Sequence, residues 1–160
     1  MRPINRGPVP LLANGQPRTV SDYRDWRSAL DERLGNYCCY CDMPLNNSPQ
    51  VEHIVPQFGG GSVLSWDNLL LACSACNRAK WHHPCAPATH ALPDVHNTYL
   101  AFKHQVVPHP RLGRQVCIMQ LRPGLNLQQQ DKARKMLGLC KLDHVPSKAS
   151  QIVRMSDVRW

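Results

Sequence analysis

The sequence is short of charge, shorter still of acid, and without a long apolar run. Each shortage removes a class of protein. Charged side chains are 19% of the 160 residues, and no apolar stretch approaches the roughly 20 residues that cross a bilayer. The opening "MRPINRGPVP" is basic and proline-rich but lacks the apolar h-region of a secretory signal. A cytoplasmic location is the expectation, and there thiols stay reduced. The eight cysteines should then be metal ligands or buried thiols, not disulfides. Against 19 Lys+Arg stand 11 Asp+Glu, a formal net charge of +8. That balance favours a polyanionic partner, nucleic acid first; the plainer reading is a basic soluble protein. No internal repeat is evident. The length suits one domain, or one with an appendage, and 14 prolines imply long irregular stretches.

Residues 1–19 read as an extended arm, with Pro3, Pro8, Pro10 and Pro17 among them. Residues 20–34 read as a helix. Tyr23, Trp26, Leu30 and Leu34 fall on one face, Ser21 is placed to cap it, and Gly35 follows the last apolar residue. Residues 81–97 carry three prolines and read as a loop. Residues 98–107 fit a short helix or a strand. "RQVCIMQL", 114–121, reads as a buried strand. A helix should run from an Asn126 cap to about Leu139, with Ala133, Met136, Leu137 and Cys140 inward. The chain stops at "SDVRW" without an evident ending, as a trimmed chain would.

Two C-x-x-C pairs stand out, Cys38/Cys41 and Cys73/Cys76, with 31 residues between them. One such turn lets two thiolates reach one metal, and two complete the four-sulfur shell of structural zinc. All four positions are then filled by protein, so this zinc would hold structure and leave no open site for water. Cys39 competes with Cys38 within the first pair but would leave a less favourable C-x-C. Cys85, Cys117 and Cys140 lack partners at ligand spacing and read as buried or incidental thiols.

Between the pairs lie "QVEHIVPQ", a glycine run at Gly59–Gly61, and "WDNLLLACSACNRAK". Glu52 and His53 interrupt an apolar strand, where an unpartnered acid is costly. A binding ribbon does not need these groups; a metal-dependent phosphodiesterase does. Such an enzyme needs a base for the attacking water and a cation to stabilise developing charge. His53, titrating near neutrality, suits the base. Glu52 and the amide oxygen of Asn77 suit a hard divalent cation such as Mg2+. Strand neighbours point to opposite faces, so Glu52 and His53 can serve one site only near a strand end or bulge. Past Asn77 a helix carries Arg78, Lys80 and Trp81. Arg78 is a candidate nucleic-acid contact, and Lys80 either meets a phosphate or is a solvated helix lysine. His82 and His83 read as phosphate contacts or plain surface residues.

Together "CCYC", "VEHIVPQ" and "WDNLLLACSACNRAK" resemble the HNH endonuclease family, over Cys38 to Lys80, about a quarter of the chain. The resemblance implies an α+β fold: a small ββα-metal core over residues 20–97, closed by a four-cysteine structural zinc. An N-terminal helix precedes the hairpin, and a C-terminal α/β extension, 98–160, offers a partner-binding surface. It implies a metal-dependent endonuclease acting on nucleic acid, DNA first, and leaving 5′-phosphate and 3′-hydroxyl ends. Glu52 matches the family's first metal ligand and His53 its base. Asn68 matches the middle Asn, which braces the loop and helps orient the base. Asn77 stands where many members have His. A narrower likeness, in "MRPI", "YCCYC", "HNTYLAF" and "SDVRW", is to the PtuB-like HNH subunits of Septu-type anti-phage systems. It would imply a PtuA-like ATPase partner and a defence role. The main alternative is a zinc-knuckle nucleic-acid-binding module or adaptor without catalysis.

Overall fold

The computed structural model describes residues 1–46, 48–111, 113 and 115–145. The terminal "SDVRW" lies outside these. A 3-10 turn, Tyr23–Trp26, leads into α1 (Arg27–Leu34). Asp22, not Ser21, is the cap: its carboxylate accepts from the Arg24 N–H, which places it one residue nearer the first turn than expected. Trp26, Leu30 and Leu34 are buried on the expected face, and Gly35 ends the helix at φ 73°, a conformation that suits glycine.

The central unit is β1 (Gln50–His53), β2 (Leu69–Ala72) and α2 (Ser74–Lys80). β1 and β2 pair antiparallel, Gln50 opposite Ala72 and His53 opposite Leu69. β2 is buried along its whole length. Its Leu-Leu-Leu-Ala run is therefore the hydrophobic floor on which α1 and α2 pack, and no polar residue would be tolerated there.

The remaining elements are α3 (Thr98–Ala101), β3 (Phe102–Pro108), β4 (Gln115–Leu121) and α4 (Leu127–Cys140). Residues 98–107 satisfy both sequence readings: one helical turn runs directly into a strand. β3 and β4 form a second antiparallel hairpin, Phe102 opposite Leu121. In α4 the Asn126 side chain accepts from the Gln129 N–H and Gln129 reaches back, a reciprocal cap. Ala133, Met136, Leu137 and Cys140 are all buried. These residues share one continuous core with Trp26, Leu30, Tyr40, Leu69–Leu71 and Met119, so the C-terminal extension packs on the same core as the central hairpin.

The N-terminal arm is extended, and it is also fastened. Arg6 donates to the Leu69 carbonyl at 2.7 Å and pairs with Asp94 at 3.1 Å, while Trp66 Nε1 donates to the Gly7 carbonyl at 3.0 Å. No helix among the described residues is long and apolar enough to cross a membrane.

Candidate active site

The four predicted cysteines meet. The sulfurs of Cys38, Cys41, Cys73 and Cys76 all lie within 4.8 Å of one another, three of them on buried residues. Cys41 and Cys73 sulfurs are 3.8 Å apart, about the edge expected of a sulfur tetrahedron around zinc with ~2.3 Å bonds. Four thiols this close perturb one another until a cation joins them: their neighbours lower Cys73 and raise Cys41 and Cys76. The donor set fits a zinc ion. Cys39 stands outside the cluster. Its thiol is buried and pushed up to about 12 by that burial, and its backbone N–H instead ties this first knuckle to the Leu71 carbonyl of β2 at 2.9 Å. Cys85 and Cys140 are buried thiols and Cys117 is half-buried; burial pushes Cys85 up to about 11, which makes it inert.

Along β1 a cleft of about 610 Å³ opens, walled by Tyr23, Gln50, Glu52, His53, Asn77 and Arg78 among others. β1 ends at His53, the strand end that lets neighbouring side chains serve one site. His53 Nε2 lies 2.9 Å from the Val63 carbonyl. A carbonyl only accepts, so Nε2 donates, and in the neutral ring Nδ1 then holds the lone pair. Tyr23 packs edge-on against the imidazole, ring centroids 4.7 Å apart, and limits its rotation.

The Val63 carbonyl is itself held in place. Asn68 Oδ1 accepts from the Val55 N–H, and Asn68 Nδ2 donates to the carbonyls of Val55 and Ser62, each at 2.8 Å. The Asn68 side chain is thus spent on the loop that carries the Val63 carbonyl, the partner of His53. The glycine run has a specific reason as well. A Cβ on Gly61 would stand 1.8 Å from the Val55 carbonyl oxygen and 2.9 Å from Asn68 Nδ2, so only glycine closes this loop.

Asn77 projects from α2. Its Nδ2 donates to Gln50 Oε1 at 2.8 Å, which turns the amide oxygen away from that bond and leaves it available as a ligand. Glu52 is 4% exposed. Burial raises its carboxyl above the ordinary value, and the neighbouring Lys80 ammonium opposes that rise. A carboxylate and an amide oxygen lining one cleft are the kind of hard oxygen donors that a divalent cation such as Mg2+ takes.

Lys80 sits differently from either expectation. Its side chain is fully buried, with Nζ 2.7 Å from Glu52 Oε1 and donating to the His53 carbonyl at 2.6 Å. It neither faces solvent nor can reach a phosphate. The spacing from Asn77 gave its direction around the helix, but α2 packs that side against β1, and the ion pair resolves the buried-acid problem from within. Arg78 is exposed beside the cleft, and His82 and His83 are exposed.

Gln50, Tyr23, Gly61 and the Val63 carbonyl escaped sequence reasoning. Gln50 alone carried a signal: two residues before Glu52 on a strand, it shares that residue's face.

Residues 38–92 match the family model for HNH endonuclease. Over 62 residues, 38% of this chain, the sequence is 36% identical to the CRISPR-associated endonuclease Cas9 of Corynebacterium diphtheriae, covering 6% of that protein. Over 56 residues, 34% of this chain, it is 41% identical to the CRISPR-associated endonuclease Cas9 of Actinomyces naeslundii, covering 5% of that one. The chain thus spans a small fraction of these curated relatives. No solved structure matches.

Proposed function

From the premise that residues 38–92 belong to the HNH endonuclease family, we infer that this protein hydrolyses phosphodiester bonds of nucleic acid, DNA first, in the cytoplasm. The observation that carries the reading is the convergence of three groups on one cleft: His53 with its Nε2 engaged by the Val63 carbonyl, Glu52, and an Asn77 whose amide is turned by Gln50. A zinc-knuckle binding module has no use for that convergence.

In the reaction, His53 Nδ1 takes a proton from water, and the water oxygen attacks phosphorus as the bond to the leaving oxygen breaks. Tyr23 and the Val63 carbonyl keep the imidazole plane fixed while its charge changes. Glu52 and Asn77 are the residues that would hold the divalent cation, which when bound stabilises charge on the leaving oxygen. Arg78 and the net positive charge hold the phosphate backbone, so affinity falls with salt and depends little on sequence. Zinc on Cys38, Cys41, Cys73 and Cys76 is structural in this reading.

The finer part of the proposal is a nuclease effector of anti-phage defence working with an ATPase partner. The PtuB-like likeness supports it, as do the exposed Tyr99 and Leu100 on α3 and Val106 on β3. Copurification from the native host tests it: recovery of an ATPase supports the partner, and recovery of none discards it. The nuclease itself is tested by His53→Ala in plasmid cleavage with Mg2+ or Mn2+. We expect a fall of about 10²–10⁴ with zinc content retained. Full activity in protein freed of contaminating nuclease would refute the assignment.

A further inference from the structure

One wall of the cleft carries aromatic rings that the hydrolytic reading leaves unused. Phe58 is 85% exposed and Trp81 63% exposed, and His82 lies between them. Phe58 and His82 meet edge to face at 4.9 Å, and His82 and Trp81 at 4.7 Å. All three residues line the same cleft as His53 and Asn77. The core has no need of them, and a flat apolar ring in water is a cost unless something covers it.

The backbone adds a second observation. Trp81 caps α2 at φ 48° and ψ −133°, a region that bulky residues rarely occupy and that costs free energy to hold. An ordinary αR continuation would carry residue 81 along the helix, so the strained turn is what sets the indole beside His82. Exposed Arg78 stands three residues earlier on the same cleft, which gives the rings a cationic neighbour for the backbone of whatever stacks there.

We propose that Phe58, His82 and Trp81 form a stacking platform for unpaired nucleobases next to the scissile phosphate. On this basis the preferred substrate is single-stranded or locally opened nucleic acid, not closed duplex. Bases have a π-face whatever their identity, so such a platform selects strand state without selecting sequence. In a closed duplex the base faces are already covered by their neighbours, and the platform contributes nothing. The inference rests on the nuclease reading for its substrate class and deepens it.

The test is binding by the intact chain in the His53→Ala background without added Mg2+, so that the probe is not cut. Three probes of equal length are compared: a dT oligonucleotide, the same backbone with abasic units, and a duplex. The abasic strand keeps every phosphate and loses every base. We expect dT to bind at least about 5-fold tighter than the abasic strand. Phe58→Leu and Trp81→Ala should each weaken dT binding roughly 5- to 100-fold, leave the abasic strand and duplex unchanged, and be rescued by Phe58→Tyr and Trp81→Tyr. Both residues are at the surface, so folding is checked by zinc content and thermal unfolding. Equal binding of dT and abasic strands, or an equal loss on duplex, overturns the platform. His53-dependent cleavage by the wild-type chain is read separately. If cleavage persists while base discrimination is absent, only the platform falls; if discrimination is present without any cleavage, only the nuclease reading falls.

Discussion

Replacing Lys80 by Met separates two accounts of this lysine sharply. The substitution keeps most of the side-chain volume and removes the ammonium. In the structure that ammonium is fully buried between Glu52 Oε1 and the His53 carbonyl. Its loss strands a buried carboxylate and an acceptor. Breaking a buried pair from one side costs about 3–5 kcal/mol, and each kcal/mol shifts Tm by about 2–4 °C at this size. The Tm of the zinc-loaded protein should therefore fall by roughly 6–20 °C. Adding Glu52→Gln to Lys80→Met removes the stranded charge and should restore a good part of that loss, a coupling that a double-mutant cycle measures. The sign with pH also follows. The Glu52 carboxyl is raised in the folded state, chiefly by burial, so the folded protein holds a proton that the unfolded chain has released. Stability from this group then declines as pH rises through that window. Without Lys80 the rise is unopposed, so the Lys80→Met defect should deepen from mildly acidic to neutral pH. A surface lysine on a phosphate would behave otherwise: Tm nearly unchanged, and the slope of binding against salt reduced by about one. Tm within about 2 °C of wild type together with that loss of slope would refute the buried-pair account.

Two further substitutions probe other parts of the site. Cys76→Ser should lose bound zinc, measured by metal content, and lose cooperative unfolding with it; a variant that stays folded and zinc-loaded would show that zinc does not depend on all four sulfurs. Asn68→Asp keeps the shape but removes the donor to the carbonyls of Val55 and Ser62. We expect kcat to fall about 10²-fold, as a misplaced base would cause, with KM and zinc content little changed; wild-type kcat would show that Asn68 does not position His53.

What the sequence revealed was what local spacing encodes. Metal-ligand spacing within a C-x-x-C turn is fixed by a few bonds, so Cys38, Cys41, Cys73 and Cys76 could be paired across a long gap. The α4 cap and its buried face were legible for the same reason. Depth was not. A helical wheel puts Lys80 beside Asn77 but does not say whether that side meets water or β1. Contacts made by loop closure were equally hidden. Gly61 reads in the sequence as part of a strand-ending run, whereas its real constraint is the backbone oxygen of Val55. The anchoring of the arm through Arg6 and Asp94 joins residues 88 positions apart, which no periodicity records.

The short helix α2 begins at the sulfur cluster and ends at Lys80, seven residues in all, or about 10 Å of rise. It behaves as a strut with both ends fixed, one by four sulfurs and one by an ion pair. A tilt of about 10° at the sulfur end would swing the far end by roughly 2 Å, and about 1 Å of misplacement is enough to cost a catalytic site on the order of 100-fold. What the cysteines contribute is therefore angular tolerance. They anchor one end of a lever whose other end carries Lys80, and its length sets how stiff their hold must be.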